Sequence, residues 1–113
     1  MNELKLRVLV LEDNEEDFLR LERLLAGAAP GCQIRRARTP ADAAATIPQF
    51  AFDACLVGGQ VAGVSGIEQL PLILELRPYA PIVMLDERPD SEFERRALAQ
   101  GASDVLSKSN LSA

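Results

Sequence analysis

Three short apolar runs, separated by segments of helical character, constrain the fold of this chain most. They are residues 6–11 (LRVLVL), 53–57 (DACLV) and 81–85 (PIVML). Their hydrophobicity is continuous rather than alternating, which is typical of strands whose sheet is covered on both faces. We therefore predict three central strands of a parallel sheet with helices on both faces, because parallel neighbours need a crossover segment between them.

Two further strands are predicted at the margins of this sheet. Residues 33–38 (QIRRAR) carry arginines on both faces and indicate an exposed edge strand. Residues 103–107 (SDVLS) follow the last helical segment and predict a fifth strand. A length of 113 residues suits one domain with its own core, so we assign residues 1–113 to a single α/β domain.

The first two helices are predicted from their capping and breaking residues. Asn14 can cap the first helix, and the APG segment at 29–31 closes it. Thr39 and Pro40 open a short alanine-rich helix, which Pro48 stops. The first helix has one apolar stripe, formed by Phe18, Leu21, Leu24, Leu25 and Ala28.

The starts of the last two helices depend on a proline and on a capping box. Pro71 lacks an N–H, and its ring would collide with the carbonyl oxygen four residues earlier. We therefore expect the third helix to begin near Leu70 or to kink there. Ser91 and Glu94 have the spacing of a capping box, which predicts Ser91 as the cap of the fourth helix.

The charge and composition exclude several classes of function. The net charge is −5, so neither a nucleic acid nor an anionic membrane is an expected partner. The chain has no histidine, and its two cysteines lack metal-ligand spacing, which excludes histidine-based catalysis and zinc chemistry. The start lacks the apolar core of a signal peptide and no run approaches a membrane span, so we expect a cytoplasmic protein.

Polar residues and glycines stand where the predicted strands end. In parallel sheets of this kind, functional sites lie outside the carboxyl ends of the strands. The residues at those positions are Glu12 and Asp13, Gly58 and Gly59, Asp86, and Lys108.

Four segments together resemble the receiver domain of bacterial two-component response regulators: VLVLEDNEED, FDACLV with VSGIE, PIVML and GASDVLSK. The resemblance covers the chain up to Lys108 and implies a flavodoxin-like, doubly wound sheet of five parallel strands in the order 2-1-3-4-5. In that family, an aspartate at the end of the third strand accepts a phosphoryl group from a histidine kinase. An acidic pair holds Mg²⁺, a Thr or Ser after the fourth strand binds the phosphoryl oxygen, and a lysine after the fifth strand pairs with it.

The chain departs from this pattern where the phosphoryl group would be held. Glu12, Asp13 and Lys108 match the family, but Gly58 stands at the phosphoacceptor position and has no nucleophile. Asp86 replaces the Thr or Ser and would repel a phosphoryl group. Other departures from the family pattern are Ala62, Val105 and Ser109. We therefore predict a pseudo-receiver: a signalling module, not an enzyme, that acts through protein–protein contact or dimerisation without phosphorylation.

Alternative interpretations of this degenerate pocket stay open. Asp86 could act as a relocated acceptor in a phosphorelay receiver, or the emptied pocket could hold a small ligand. Glu12 and Asp13 could bind Mg²⁺, although the acids of residues 12–17 also suit the positive end of a helix dipole. A further hypothesis is that Asp86 forms an ion pair with Lys108 and freezes the pocket.

Receivers normally close with a fifth helix, and residues 110–113 (NLSA) stand where that helix would begin. We expect the final helix to be absent from residues 1–113. Either the native chain continues into that helix and an output domain, or another chain covers the apolar sheet face that the helix would cover. An output domain, a protein partner or a second copy of the chain is therefore the expected partner.

Overall fold

The computed structural model describes residues 6–61, 63–75, 80–87 and 90–110. In chain order its strands are β1 (Arg7–Leu11), β2 (Gln33–Ala37), β3 (Ala54–Gly58), β4 (Gln60–Val61), β5 (Val64–Ser65), β6 (Ile82–Asp86) and β7 (Asp104–Ser107). Five of them form one parallel sheet in the order β2-β1-β3-β6-β7. This is the 2-1-3-4-5 order of the predicted flavodoxin-like fold, which is confirmed. The glycine-rich segment after β3 forms a small antiparallel ribbon, β4 with β5, that sequence patterns did not predict.

Within the described residues, four helices connect the strands: α1 (Glu15–Ala28), α2 (Pro40–Thr46), α3 (Gly66–Glu75) and α4 (Ser91–Ala99). Short 3₁₀ turns follow α2 at Ile47–Gln49 and β7 at Lys108–Asn110. The predicted caps of the first two helices are present. The Asn14 side chain accepts a hydrogen bond from the Asp17 N–H, and the Thr39 hydroxyl accepts one from the Asp42 N–H.

The third helix begins four residues before Leu70, where the sequence predicted either the helix start or a kink. Helix α3 starts at Gly66 and contains Pro71 in its interior. Because Ile67, Leu70 and Ile73 are buried against the sheet, the apolar burial of one helix face outweighs the hydrogen bond that proline removes.

The fourth helix is capped one residue before the predicted cap. Asp90 is the N-cap, and its Oδ1 accepts a hydrogen bond of 2.7 Å from the Phe93 N–H. Ser91 is the first helical residue instead. A carboxylate near the positive end of the helix dipole adds a favourable charge interaction that a serine hydroxyl lacks.

Both faces of the sheet are covered with apolar side chains, as the continuous hydrophobic runs predict. Helices α2, α3 and α4 pack on one face, together with the larger cluster around Leu9, Leu11, Val57 and Met84. Helix α1 packs on the other face, against Val8, Val10 and Leu85. Cys55 is fully buried, and burial raises the pKa of its thiol to about 11, so it packs as an apolar residue.

None of the described helices is long and apolar enough to cross a bilayer. Two of the sequence-based expectations, the departure at Ala62 and the missing final helix at residues 111–113, lie outside the described residues.

Candidate functional site

The carboxyl ends of four adjacent strands bring the predicted site residues to one edge of the sheet. Glu12 follows β1 directly, Gly58 ends β3, Asp86 ends β6 and Lys108 follows β7. Asp13, next to Glu12, is exposed at the same edge. Whether these residues act as a degenerate phosphorylation site stays a prediction, but their convergence is a feature of the fold.

Gly58 forms the tip of β3. The register pairs Val57 with Leu11 of β1 and Gly58 with Leu85 of β6, which leaves Gly58 beside the start of the loop that carries Glu12. A glycine has no side chain, so this strand tip presents no oxygen nucleophile.

The Asp86 carboxylate lies against the backbone of the residue that follows this tip. A Cβ atom added at Gly59 would collide with Asp86 Oδ1 and with the Leu85 carbonyl oxygen. Gly66 makes a similar close approach, because its N–H donates to the Gly59 carbonyl oxygen at 2.7 Å. The end of β3 is therefore covered by a carboxylate and by the start of α3.

Lys108 forms two ion pairs, neither of them with Asp86. Its Nζ lies 2.7 Å from Glu12 Oε1 and 2.9 Å from Asp17 Oδ2. The hypothesis that Asp86 neutralises Lys108 is therefore wrong. Two carboxylates on the β1 and α1 side hold the ammonium group, whereas the Asp86 carboxylate lies over Gly59.

The acids that hold Lys108 have further partners of their own. The Asn14 N–H donates to Glu12 Oε2 at 3.1 Å, and Arg20 Nη2 lies 2.6 Å from Asp17 Oδ1. Glu12 is fully buried, and Lys108 is only 8% exposed. The first turn of α1 and the segment after β7 are therefore joined by a network of two acids and two bases, in which Arg20 is partly exposed and the other three residues are buried. We call it the lysine network: Glu12, Asp17, Arg20 and Lys108.

The contacts within the lysine network favour the charged forms of both Lys108 and Asp17. Burial alone would lower the pKa of Lys108, but its contacts with the Glu12 and Asp17 carboxylates outweigh burial and raise it. Burial would likewise raise the pKa of Asp17, but the hydrogen bonds from Lys108 and Arg20 outweigh it and lower that pKa. Lys108 and Asp17 are both charged at neutral pH.

The sequence suggests that the arginines of β2 are solvated at the edge of the sheet, but Arg36 is largely buried. The Arg36 side chain is 12% exposed, and its Nε donates to the Glu12 carbonyl oxygen at 3.1 Å. Its Nη1 lies 2.7 Å from Glu15 Oε2, and its guanidinium stacks 4.3 Å from the Phe18 ring centroid. Arg36 therefore supports the backbone of the site loop from the side opposite Lys108.

The side chains at this edge do not fit the Mg²⁺ ion that the receiver resemblance implies. The Asn14 N–H donates to Glu12 Oε2, and the Lys108 ammonium forms an ion pair with Glu12 Oε1, which accepts no hydrogen bond. Gly58 contributes no carboxylate. Within the described ranges, no cluster of three His, Cys, Asp or Glu residues could hold a metal ion. Since Mg²⁺ demands near-octahedral oxygen ligands, an arrangement whose oxygens already bind a lysine is a poor match.

Sequence reasoning missed Asp17, the second acid that holds Lys108. The signal that could have found it is its place three residues after the Asn14 cap, in the first turn of α1 beside the end of β1. The acidic run at 12–17 was interpreted as a helix start with favourable charges. That interpretation holds for Glu15, Glu16 and Asp17, but Asp17 also binds the lysine.

The fold and the residues at its strand ends define a flavodoxin-like α/β domain of the receiver type. Residues 8–112 match the family described as the response regulator receiver domain, and the chain belongs to that family. It is therefore a receiver domain of the kind found in two-component response regulators, which are signalling modules. No curated protein matches the chain.

Solved receiver structures resemble the chain over most of its length. A receiver domain protein of Methanospirillum hungatei has 22% identity and a TM-score of 0.78, over 93% of this chain and 82% of that chain. A chemotaxis protein of Vibrio cholerae has 21% identity and a TM-score of 0.80, over 93% and 88%. A response regulator of Burkholderia pseudomallei, solved with a phosphorylated aspartic acid and a calcium ion, has 25% identity and a TM-score of 0.80. The match covers 92% of this chain but 60% of the Burkholderia chain.

Proposed function

We propose that this receiver domain transmits its signal through contact with a protein partner and does not accept a phosphoryl group. The single observation that carries the proposal is the residue at the tip of β3. Phosphoryl transfer needs a nucleophilic oxygen and groups that neutralise the developing charge. Gly58 supplies no oxygen, and the nearby Asp86 carboxylate would repel a phosphoryl group.

Other carboxylates are poorly placed to act as a relocated acceptor. Asp53 lies at the amino end of β3, where its Oδ2 accepts a hydrogen bond of 2.8 Å from the Arg7 N–H. Glu12 and Asp17 are engaged by Lys108, and Asp86 is packed against Gly59. These contacts support a domain without phosphotransfer of its own.

Incubation with acetyl phosphate and Mg²⁺, followed by intact-mass measurement, tests this proposal. We expect no phosphoryl adduct, whereas a receiver with aspartate at the end of its third strand, treated in parallel, acquires one. A stoichiometric adduct on this chain would overturn the proposal. Peptide mapping of that adduct to Asp86 would identify a relocated acceptor.

The surface that we propose for the partner is the sheet face beside α1. Among the described helices, α1 is the one that packs on this face, and Leu106 of β7 is 44% exposed there. Leu56 and Val83 are partly buried on the same face. Arg20 and Glu87 are close enough to interact at the same end of the molecule, so the rim carries both signs of charge. An apolar centre with a rim of both signs suits a self-complementary contact, so we propose a second copy of the chain as the occupant.

Light scattering over a range of protein concentrations tests this contact. We expect a concentration-dependent dimer that Leu106→Asp abolishes. The matched control is Leu72→Asp, because Leu72 is 58% exposed on α3 at the opposite face and its replacement should leave the dimer intact. A strictly monomeric wild-type chain would refute self-association and leave the absence of phosphorylation untouched.

A further inference from the structure

We infer that Lys108 is the built-in cation of this site and makes the carboxyl edge of the sheet independent of divalent metal ions. The inference goes beyond the proposed function, since a receiver without an acceptor could still bind a metal ion reversibly. It rests on the lysine network, which does not involve Gly58.

The network is balanced in charge without any external ion. Glu12 and Asp17 contribute two negative charges, and Lys108 and Arg20 contribute two positive charges. A fully buried carboxylate such as Glu12 needs a counter-charge at close range, and the Lys108 ammonium 2.7 Å away provides it. A divalent cation added here would leave an excess of positive charge in a buried place.

Each oxygen of the two carboxylates also has a charged or hydrogen-bonding neighbour, although Glu12 Oε1 is held by its ion pair with Lys108 and accepts no hydrogen bond. Lys108 contacts one oxygen of Glu12 and one of Asp17, while the Asn14 N–H and Arg20 contact the other two. A metal ion that took both acids as ligands would have to approach within coordination distance of oxygens that already contact the Lys108 ammonium, so charge repulsion favours displacement of Lys108. The displaced ammonium would then be left without a carboxylate in a largely buried position, which is costly.

A covalently attached cation differs from a bound metal ion because it cannot dissociate when the concentration of free metal falls. Lys108 belongs to the chain, so its local concentration does not fall when free Mg²⁺ is removed. It also joins residues after β7 to the first turn of α1. The carboxyl edge should therefore keep one arrangement whether or not divalent ions are present.

Thermal unfolding with and without millimolar MgCl₂ or MnCl₂ tests the inference on wild-type protein, Lys108→Met and Arg95→Met. Arg95 is exposed on α4, so Arg95→Met is a control with the same change in charge. We expect the metal to leave the melting temperatures of the wild-type and control proteins unchanged. In Lys108→Met, Glu12 and Asp17 no longer contact a lysine and should bind the metal ion. The melting temperature of this variant should then rise saturably with metal concentration, by at least about 3 °C.

A second measurement decides the question even if Lys108→Met does not fold. Paramagnetic Mn²⁺ added to ¹⁵N-labelled wild-type protein should leave the amide signals of Glu12, Asp13 and Asn14 sharp. Selective broadening of these signals, a metal-induced rise in the wild-type melting temperature, or a folded Lys108→Met without metal response would each overturn the inference. The metal experiments contain no phosphodonor, so their outcome is separate from that of the acetyl phosphate experiment.

Discussion

Replacement of Lys108 by methionine measures how much of the stability depends on the lysine network. The change leaves the Glu12 carboxylate fully buried without a counter-charge from the network, and the Asn14 N–H remains as its hydrogen-bond donor. Removal of one partner from a buried ion pair costs about 3–5 kcal/mol, because the other charge stays buried without compensation. Asp17 keeps Arg20 and contributes less to the loss. We therefore expect Lys108→Met to lower the free energy of unfolding by about 3–5 kcal/mol.

Urea unfolding followed by circular dichroism measures this loss. A domain of this size has a total stability of about 5–15 kcal/mol, so the variant stays folded where the wild-type stability exceeds the loss of about 3–5 kcal/mol. For a urea dependence of about 1–3 kcal/mol per molar, the midpoint should fall by at least about 1 M.

Two further variants show whether the buried charge is the cause. Asp17→Asn leaves the contact between Lys108 and Glu12 in place and should cost only about 1–2 kcal/mol. Glu12→Gln in the Lys108→Met background removes the buried charge and should recover most of the lost stability. A loss below about 1 kcal/mol in Lys108→Met, the value typical of exposed pairs, would refute the reasoning.

Two other predictions concern a glycine contact and pH. Gly59→Ala should lower the free energy of unfolding by about 1–3 kcal/mol, because the new Cβ would meet Asp86. The control Gly27→Ala, in open space on α1, should raise it by up to about 1 kcal/mol, and urea midpoints that do not separate the two variants would contradict this prediction. The pKa of Lys108 is raised by folding, so its stabilisation is complete below its usual value of about 10.4 and is lost as the pH rises through the higher folded value. The pKa of Asp17 is lowered, so its stabilisation is present above about pH 3.9 and is lost as the pH falls through the folded value. Urea midpoints of the wild type across pH should fall at both extremes, and a flat alkaline limb would contradict the assigned role of Lys108.

The strands and their order were predictable because the signal for them is strong and local. A run such as residues 6–11 is too continuously apolar for a strand with one wet face, so it indicates a central strand of a covered sheet. Once such runs are aligned in one parallel sheet, their carboxyl ends share an edge, which brings Glu12, Gly58, Asp86 and Lys108 together without any knowledge of side-chain contacts.

The partners of Lys108 were not predictable in the same way. Which acid reaches an ammonium group depends on how α1 lies across the sheet and on whether Asp86 is engaged elsewhere, and neither is encoded in local periodicity. The start of α3 was missed for a related reason. The rule that proline ends a helix is local, whereas the burial of Ile67 and Leu70 against the sheet is a tertiary effect.

The bond between Lys108 and Asp17 joins residues 91 positions apart in the chain. During synthesis from the amino terminus, Asp17 and its partner Arg20 emerge together, whereas Glu12 emerges long before the lysine that neutralises it. Until the segment after β7 is made, the nascent chain carries two acids beside β1 without their lysine, and docking of this region is disfavoured. Docking of the first turn of α1 at this edge should thus await the segment after β7, as expected for a contact between residues so distant in sequence.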